Sequence, residues 1–310
     1  MHILILGAAG MIGRKLAASL APDHRLTLAD VVAQPALPNA QTLTLDLTAR
    51  AAPALIAGQP DAIIHLAAIV SGEAEADFEK GYATNFDASR ALLEAIRLTP
   101  NYKPKLIFAS SIAVFGAPFP AKIPDDFHLT PRTSYGTQKA MTELLLSDYS
   151  RRGFLDGIAI RLPTICVRPG LPNKAASGFF SNIIREPLAG KPANLPVPDT
   201  TRHWFASPQS AVGFFRHALT LDTALLGDQR ALNMPGLSAT VAEQIEALRR
   251  VAGQDAVNLI TRHPDETIAK IVSTWAQDFQ TTRAAALGFR AESSFDQIIA
   301  AHLASQGAAA

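Results

Sequence analysis

Three glycines at three-residue intervals, Gly7, Gly10 and Gly13, follow directly on the apolar run of residues 2–6 and overlap the start of a helical pattern of Ile12, Leu16 and Leu20. A strand that turns this tightly into a helix leaves few folds open. Residues without side chains let backbone N–H groups and the positive end of the helix come close to an anion such as a pyrophosphate. The same turn also serves as a plain strand-to-helix connection, so the rest of the chain has to separate the two uses.

Further apolar runs stand at residues 26–29, 42–45, 62–67, 105–109 and 157–162, with helix-like stretches at 76–97 and 134–152. Strands that alternate with helices predict a parallel sheet covered on both faces, an α/β chain with a Rossmann-like doubly wound sheet. The run at 26–29 stops at Asp30 and that at 42–45 stops at Asp46. An acidic residue at the end of the second strand is where a dinucleotide fold bonds the adenosine ribose, and its charge repels a 2′-phosphate, which favours NAD over NADP.

After Pro163 the chain becomes proline-dense, in RPGLPNKAAS, REPLAGKPANLPVP and SPQ, which suits loops and short helices better than a regular sheet. The expected division is a Rossmann domain over 1–165 and a smaller, irregular α+β substrate lobe over 166–310, with helical patterns at 209–222, 240–252 and 265–280. One segment of that lobe is expected to return to the sheet, and the Ala-rich end to fray. At 310 residues and 48% hydrophobic the chain can bury one large core or two modest ones, so disorder is excluded as its dominant state. The formal net charge of +1 gives no reason to expect a nucleic-acid or membrane partner. One cysteine, Cys166, and eight scattered histidines point to a reducing, cytoplasmic setting without a structural metal.

Tyr135 and Lys139 lie four residues apart on a predicted helix and so share one face. A free phenol titrates near 10, and a neighbouring ammonium is expected to bring it down, toward a base able to take a proton from an alcohol while hydride leaves the same carbon. Such a pair can equally share a helix surface without chemistry. Ser111 tips the balance, because Ser110-Ser111-Ile112-Ala113-Val114-Phe115-Gly116 closes a strand and puts a hydroxyl at the carboxyl end of the sheet, where doubly wound folds bind ligands.

The Gly-x-x-Gly-x-x-Gly spacing, Asp46-Leu47, His65-Leu66-Ala67-Ala68 and the set of Ser111, Tyr135 and Lys139 together resemble the short-chain dehydrogenase/reductase superfamily. Ser-x-x-Val-(aromatic)-Gly resembles its extended, NAD-dependent epimerase/dehydratase branch, with Phe115 in place of a more usual tyrosine. The resemblance implies NAD as cofactor, held by Gly7, Gly10, Met11, Ile12, Gly13, Asp30, Asp46, Leu47, Leu66, Ala67, Ala68, Ser71, Tyr135, Lys139, Pro163 and Ile165. It implies catalysis by Tyr135, Lys139 and Ser111. His65 reads as a packed core histidine and Asn85 as a structural brace. Pro163 reads either as a strand terminator or as a nicotinamide contact. The family's usual homodimer, formed by the helices near 76–97 and 134–152, is expected.

Residues 69–78, 110–115 and 161–188 are similar to one subgroup of that branch, the D-erythronate dehydrogenases, with Pro172-Asn173-Lys174-Ala175-Ala176-Ser177 the most specific part. That implies oxidation of the 2-hydroxyl of a small sugar acid, with Ser71, Ser111, Tyr135, Asn173 and Ser177 at the substrate. Ser71 and Ser177 serve as readily to cap loops. Arg168 and Arg202 are candidate carboxylate clamps or solvated surface arginines; His203 follows Arg202 where nucleotide-sugar enzymes carry an aspartate. Open alternatives are a nucleotide-sugar epimerase or dehydratase, a dehydrogenase of a uronic acid or L-threonine, and an NAD sensor without turnover.

Overall fold

A computed structural model describes residues 1–47, 51–170 and 177–307. The chain divides into two units, one of residues 1–114, 129–162 and 212–233, the other of 115–128, 163–211 and 234–310. The sequence suggests a cut after 165 with one segment returning; the first unit closes at Leu162, lacks 115–128, and takes in 212–233.

In the first unit the apolar runs become strands β1 (His2–Leu6), β2 (Arg25–Asp30), β3 (Ala40–Thr44), β4 (Ala62–His65), β5 (Lys105–Ser111) and β6 (Asp156–Leu162), joined by β10 (Ala231–Asn233). All pair in parallel in the order β10-β6-β5-β4-β1-β2-β3. The expected returning element is β10, which takes the open edge of β6 and satisfies backbone groups that would otherwise face outward. The strand order reverses between β1 and β4, and in such sheets the crevice beyond the carboxyl ends at that switch point is where ligands bind.

Helices α1 (Met11–Leu20), α2 (Ala52–Ile56), α3 (Ser71–Ala76), α4 (Phe78–Tyr82), α5 (Ala88–Leu98) and α6 (Ser134–Arg151) accompany this sheet. The expected helix over 76–97 is broken twice. Asp77 leaves helical geometry (φ −129°, ψ 90°) to cap α4 through its carboxylate, and residues Ala83–Asp87 form a π-turn centred on the buried Asn85. Thr133 caps α6 by accepting from Gly136 N at 3.0 Å. Beneath the sheet a core of Leu4, Leu6, Ile63, Leu92, Leu93, Phe108 and Leu146 is closed to solvent.

The second unit holds β7 (Thr164–Ile165), α7 (Gly178–Leu188), β8 (Ala193–Leu195), β9 (Arg202–Ala206), β11 (Leu237–Thr240), α9 (Val241–Asn258), β12 (Ile260–Arg262), α10 (Glu266–Ser273), α11 (Thr282–Ala286) and α12 (Phe295–Gly307); α8 (Pro208–Thr220) leads out of it. Its sheets are small, β11-β9-β7 and β12-β8. The helix expected over 265–280 stops at Ser273, because Phe279 bridges to Ile123 and Gln280 N bonds Ile123 O at 2.8 Å, drawing the segment out. The expected fraying at 300–310 does not extend to α12, whose Ile298, Ile299 and His302 are buried; residues 308–310 lie outside the described residues. Among the described residues no helix is long and apolar enough to cross a membrane.

Candidate active site

The glycine loop and the loop after β4 meet at the switch point. Gly7 has φ +81°, and a Cβ built on it would lie 2.6 Å from Ala67 N, so these two loops touch backbone to backbone. A Cβ on Gly13 would lie 2.4 Å from Gly7 O, which sets α1 tightly on the loop. Gly10 differs. It is exposed, its backbone is extended (φ −66°, ψ 165°), and a Cβ there would meet Gly7 O at 3.2 Å and otherwise open space. It is also the N-cap of α1 without a side-chain cap, so the first N–H groups, at Met11 and Ile12, face outward unclaimed by any capping side chain.

Asp30, ending β2, ties this loop to the sheet: Oδ2 accepts from Ala9 N at 2.9 Å and Oδ1 from Val32 N at 3.0 Å. Each oxygen keeps a second lone pair for a ribose hydroxyl. Val31 and Val32 beside it are exposed apolar residues, as is suitable under a flat base. Asp46 is exposed just beyond β3, whereas Leu47 is buried in the core. Leu66, Ala67 and Ala68 are half-buried along the crevice, and Ser71 opens α3. The cradle left by Gly10, the open helix end and the carboxylate of Asp30 fit a dinucleotide.

Ser111, Tyr135 and Lys139 come together at the carboxyl end of β5. Ser111 Oγ accepts from Ala113 N at 3.1 Å, which fixes the short turn Ile112–Val114. Gly136 lets α6 settle on that turn, since a Cβ there would lie 2.2 Å from Ala113 O. Lys139 is 2% exposed; its Nζ donates to Ala109 O at 2.9 Å and lies 4.6 Å and 5.6 Å from the ring centres of Phe108 and Tyr135.

The electrostatics differ from the expectation. Burial pushes the Tyr135 phenol up to about 12, with the Ser111 hydroxyl pulling the other way, and burial brings the Lys139 ammonium down to about 7. Desolvation disfavours each charged form more than the neighbour favours it. His65 is a packed core residue: it bonds Ser89 Oγ at 2.9 Å, meets Phe108 edge-on, and burial holds it near 3.

Asn85 stands where the sequence expects a brace, and a further pair, Glu143 and Arg161, has no motif of its own. Asn85 brackets the cofactor-side loop, accepting from Ile69 N and donating to Ile69 O, and donates to Gln138 Oε1 at 2.8 Å on α6. Glu143, 2% exposed, holds Arg161 of β6 through contacts of 2.8–3.1 Å and accepts from the Ser110 hydroxyl. The signals for this pair were available: Glu143 is one turn past Lys139, and Arg161 interrupts the apolar run GIAIRL, where a buried cation needs a partner.

In the second unit Pro163 is buried ahead of β7, and Ile165 pairs with Ala206. Arg168 is half-buried; its backbone N donates to Ser181 Oγ at 3.1 Å and Nη2 to Ser177 Oγ at 3.0 Å, and among the described residues it has no acidic partner. Burial and the nearby Arg185 both press its guanidinium downward. Arg202 is engaged elsewhere, with Ser238 at 3.2–3.3 Å and Glu243 at 3.4 Å. His203 is an interior residue, stacked on Phe180 and bonded to Thr164 Oγ1 at 2.6 Å. Asn173 lies outside the described residues.

A model of the NAD dependent epimerase/dehydratase family matches residues 3–205. A D-erythronate dehydrogenase of Cupriavidus necator is 47% identical over 100% of both chains, and one of Haemophilus influenzae is 44% identical over 96% of this chain and 98% of its own. A solved structure described as the nucleoside-diphosphate-sugar epimerase from Agrobacterium tumefaciens is 56% identical, with a TM-score of 0.95 over 100% of this chain and 95% of that one.

Proposed function

The chain belongs to the NAD-dependent epimerase/dehydratase family, and from that premise we propose that it oxidises the 2-hydroxyl of D-erythronate, a four-carbon sugar acid, to the 2-oxo acid. The observation that carries this is full-length identity to two D-erythronate dehydrogenases in a chain whose Ser111, Tyr135 and Lys139 stand together. Gly7, Gly10, Met11, Ile12 and Gly13 take the pyrophosphate of NAD, Asp30 the adenosine ribose, and Asp46 and Leu47 the adenine. Leu66, Ala67, Ala68, Ser71, Pro163 and Ile165 take its other end. NAD, when bound, supplies the acceptor for the hydride leaving C2.

Tyr135 receives the proton of the C2 hydroxyl. Ser111 holds that oxygen by a hydrogen bond as it becomes a carbonyl. Lys139, whose Nζ lies 5.6 Å from the Tyr135 ring, when charged favours the phenolate by simple charge attraction, while the Ser111 hydroxyl opposes the burial that otherwise keeps the phenol protonated. Arg168 is the better partner for the substrate carboxylate, since it carries a desolvated cation without a paired acid among the described residues, whereas Arg202 already faces Glu243. Ser71 and Ser177 are further candidates for contact with the substrate.

We further propose a homodimer through α4 and α6, where Phe78 and Leu144 are 61% and 65% exposed, in a cytoplasmic protein with small molecules and not nucleic acid or membrane as partners. The test is NADH absorbance with NAD and a panel of four- to six-carbon sugar acids and L-threonine. Turnover of D-erythronate that falls by about 10²–10⁴ in Tyr135→Phe is expected. The Agrobacterium structure's description supports a second reading, a nucleotide-sugar epimerase. It requires NAD retained through purification and no net NADH with any acid, and that outcome overturns the dehydrogenase.

A further inference from the structure

Glu143 sits at one point where four elements cross. Tyr135, Lys139 and Glu143 follow one another at four-residue steps and so share a face of α6. The register sets Ser110 of β5 opposite Arg161 of β6, and Arg161 opposite Asn233 of β10. All three side chains converge on one knot: Ser110 and Arg161 donate to the Glu143 carboxylate, and Arg161 Nη1 donates to Asn233 Oδ1 at 3.2 Å. The residue after Ser110 is Ser111. The residue before it, Ala109, offers its carbonyl to Lys139 Nζ at 2.9 Å.

We propose that Glu143 is a positioning residue for this chemistry: through Ser110 it locks the strand end carrying Ser111 to the turn of α6 carrying Lys139, and its charge helps hold Lys139 as an ammonium. The inference rests on the roles given above to Ser111, Tyr135 and Lys139.

The charges around Lys139 can be followed element by element. On α6 they are Tyr135 and Glu143. From β4 comes His65, neutral at working pH. From β6 comes Arg161, paired with the Glu143 carboxylate at 2.8 Å. On the helices packed on α6, Glu75 of α3 is spent on Ser134 N, and Glu94 of α5 on Arg97 and Tyr149. Glu143 is therefore the carboxylate placed to oppose the burial of Lys139, and it raises the proton affinity that burial lowers. A buried ion pair kept for stability alone gains little over apolar residues of the same volume, whereas one that sets the charge of a neighbour cannot be exchanged for them.

The test uses the full chain without NAD, carrying ¹³C-labelled lysine, and the double variant Glu143→Gln/Arg161→Met, which removes the carboxylate without stranding a buried arginine. The Lys139 Cε resonance, recognised by its loss in Lys139→Met, is expected to titrate about one pH unit lower in the double variant. The high-pH limb of kcat/KM moves down with it. An unmoved titration overturns the electrostatic role whatever substrate the enzyme takes, because the resonance needs none. A second variant, Ser110→Ala, leaves the Glu143–Arg161 ion pair whole, and its melting curve is recorded beside its kinetics. It is expected to lower kcat by about threefold or more with the Lys139 titration unchanged; wild-type kcat overturns the strand-locking role.

Discussion

Replacing Gly7 and Gly10 by alanine, one at a time, separates the glycine that builds the loop from the glycine that faces the ligand. At Gly7 the backbone is left-handed, φ +81°, and the new Cβ would stand 2.6 Å from Ala67 N and 2.8 Å from Ala67 Cα. The left-handed conformation costs about 1–2 kcal/mol for alanine. Forcing two packed backbones apart adds about 1–3 kcal/mol. Gly7→Ala is therefore expected to lose about 2–5 kcal/mol, a large share of the ~5–15 kcal/mol that holds a typical fold. Gly10 already has φ −66° and ψ 165°, which alanine adopts, and its Cβ would meet only Gly7 O, at 3.2 Å. Gly10→Ala is expected to keep its stability within about 1 kcal/mol. Its methyl, however, stands where a pyrophosphate must come close to the helix end, so NAD affinity falls by about ten- to a hundredfold, about 1.4–2.8 kcal/mol. Urea denaturation reads the first quantity and titration calorimetry with NAD the second. The reasoning is refuted if Gly10→Ala unfolds more easily than Gly7→Ala, or if it binds NAD as the wild type does.

Three further outcomes are expected. Gly136→Ala drives a Cβ to 2.2 Å from Ala113 O and should cost about 1–3 kcal/mol and lower kcat, because α6 must lift off the turn after Ser111; a wild-type melting curve and rate refute it. His65 and His203 are held near 3 by burial, so between pH 6.5 and 3 the unfolded chain binds more protons than the folded one. Their contribution is present above about pH 6.5 and is lost as the pH falls, by about 1.4 kcal/mol per pH unit for each histidine. His203→Phe should flatten the pH dependence of urea stability near pH 5 by about that slope, and an unchanged slope contradicts the burial of His203. Leu144→Glu places a charge on the exposed apolar face of α6 and should convert a dimer to monomers in light scattering; an intact dimer moves the interface elsewhere.

The site was legible in the sequence wherever its parts lie close along the chain. The glycine spacing, Tyr135 and Lys139 at one helical turn, and Ser111 at a strand end each show within a few residues where they stand in the fold. Glu143 and Arg161 were harder to read, because a carboxylate on a helix and an arginine in a strand acquire meaning only when the fold brings together residues 18 positions apart. The expected helix over 76–97 shows the same limit from another side: its apolar period is helical throughout, but the hydrogen bonds that Asn85 makes to Ile69 and Gln138 accompany a π-turn that no local pattern announces.

By itself the sequence determined the parallel α/β architecture and the tight glycine turn from β1 into α1, since periodicity and glycine placement act over single turns. The tertiary structure decided which edge β10 closes, that Arg202 faces Glu243, and the proton affinities of Tyr135 and Lys139. Those depend on desolvation by atoms from distant strands, and here desolvation outweighs the attraction between neighbours four residues apart.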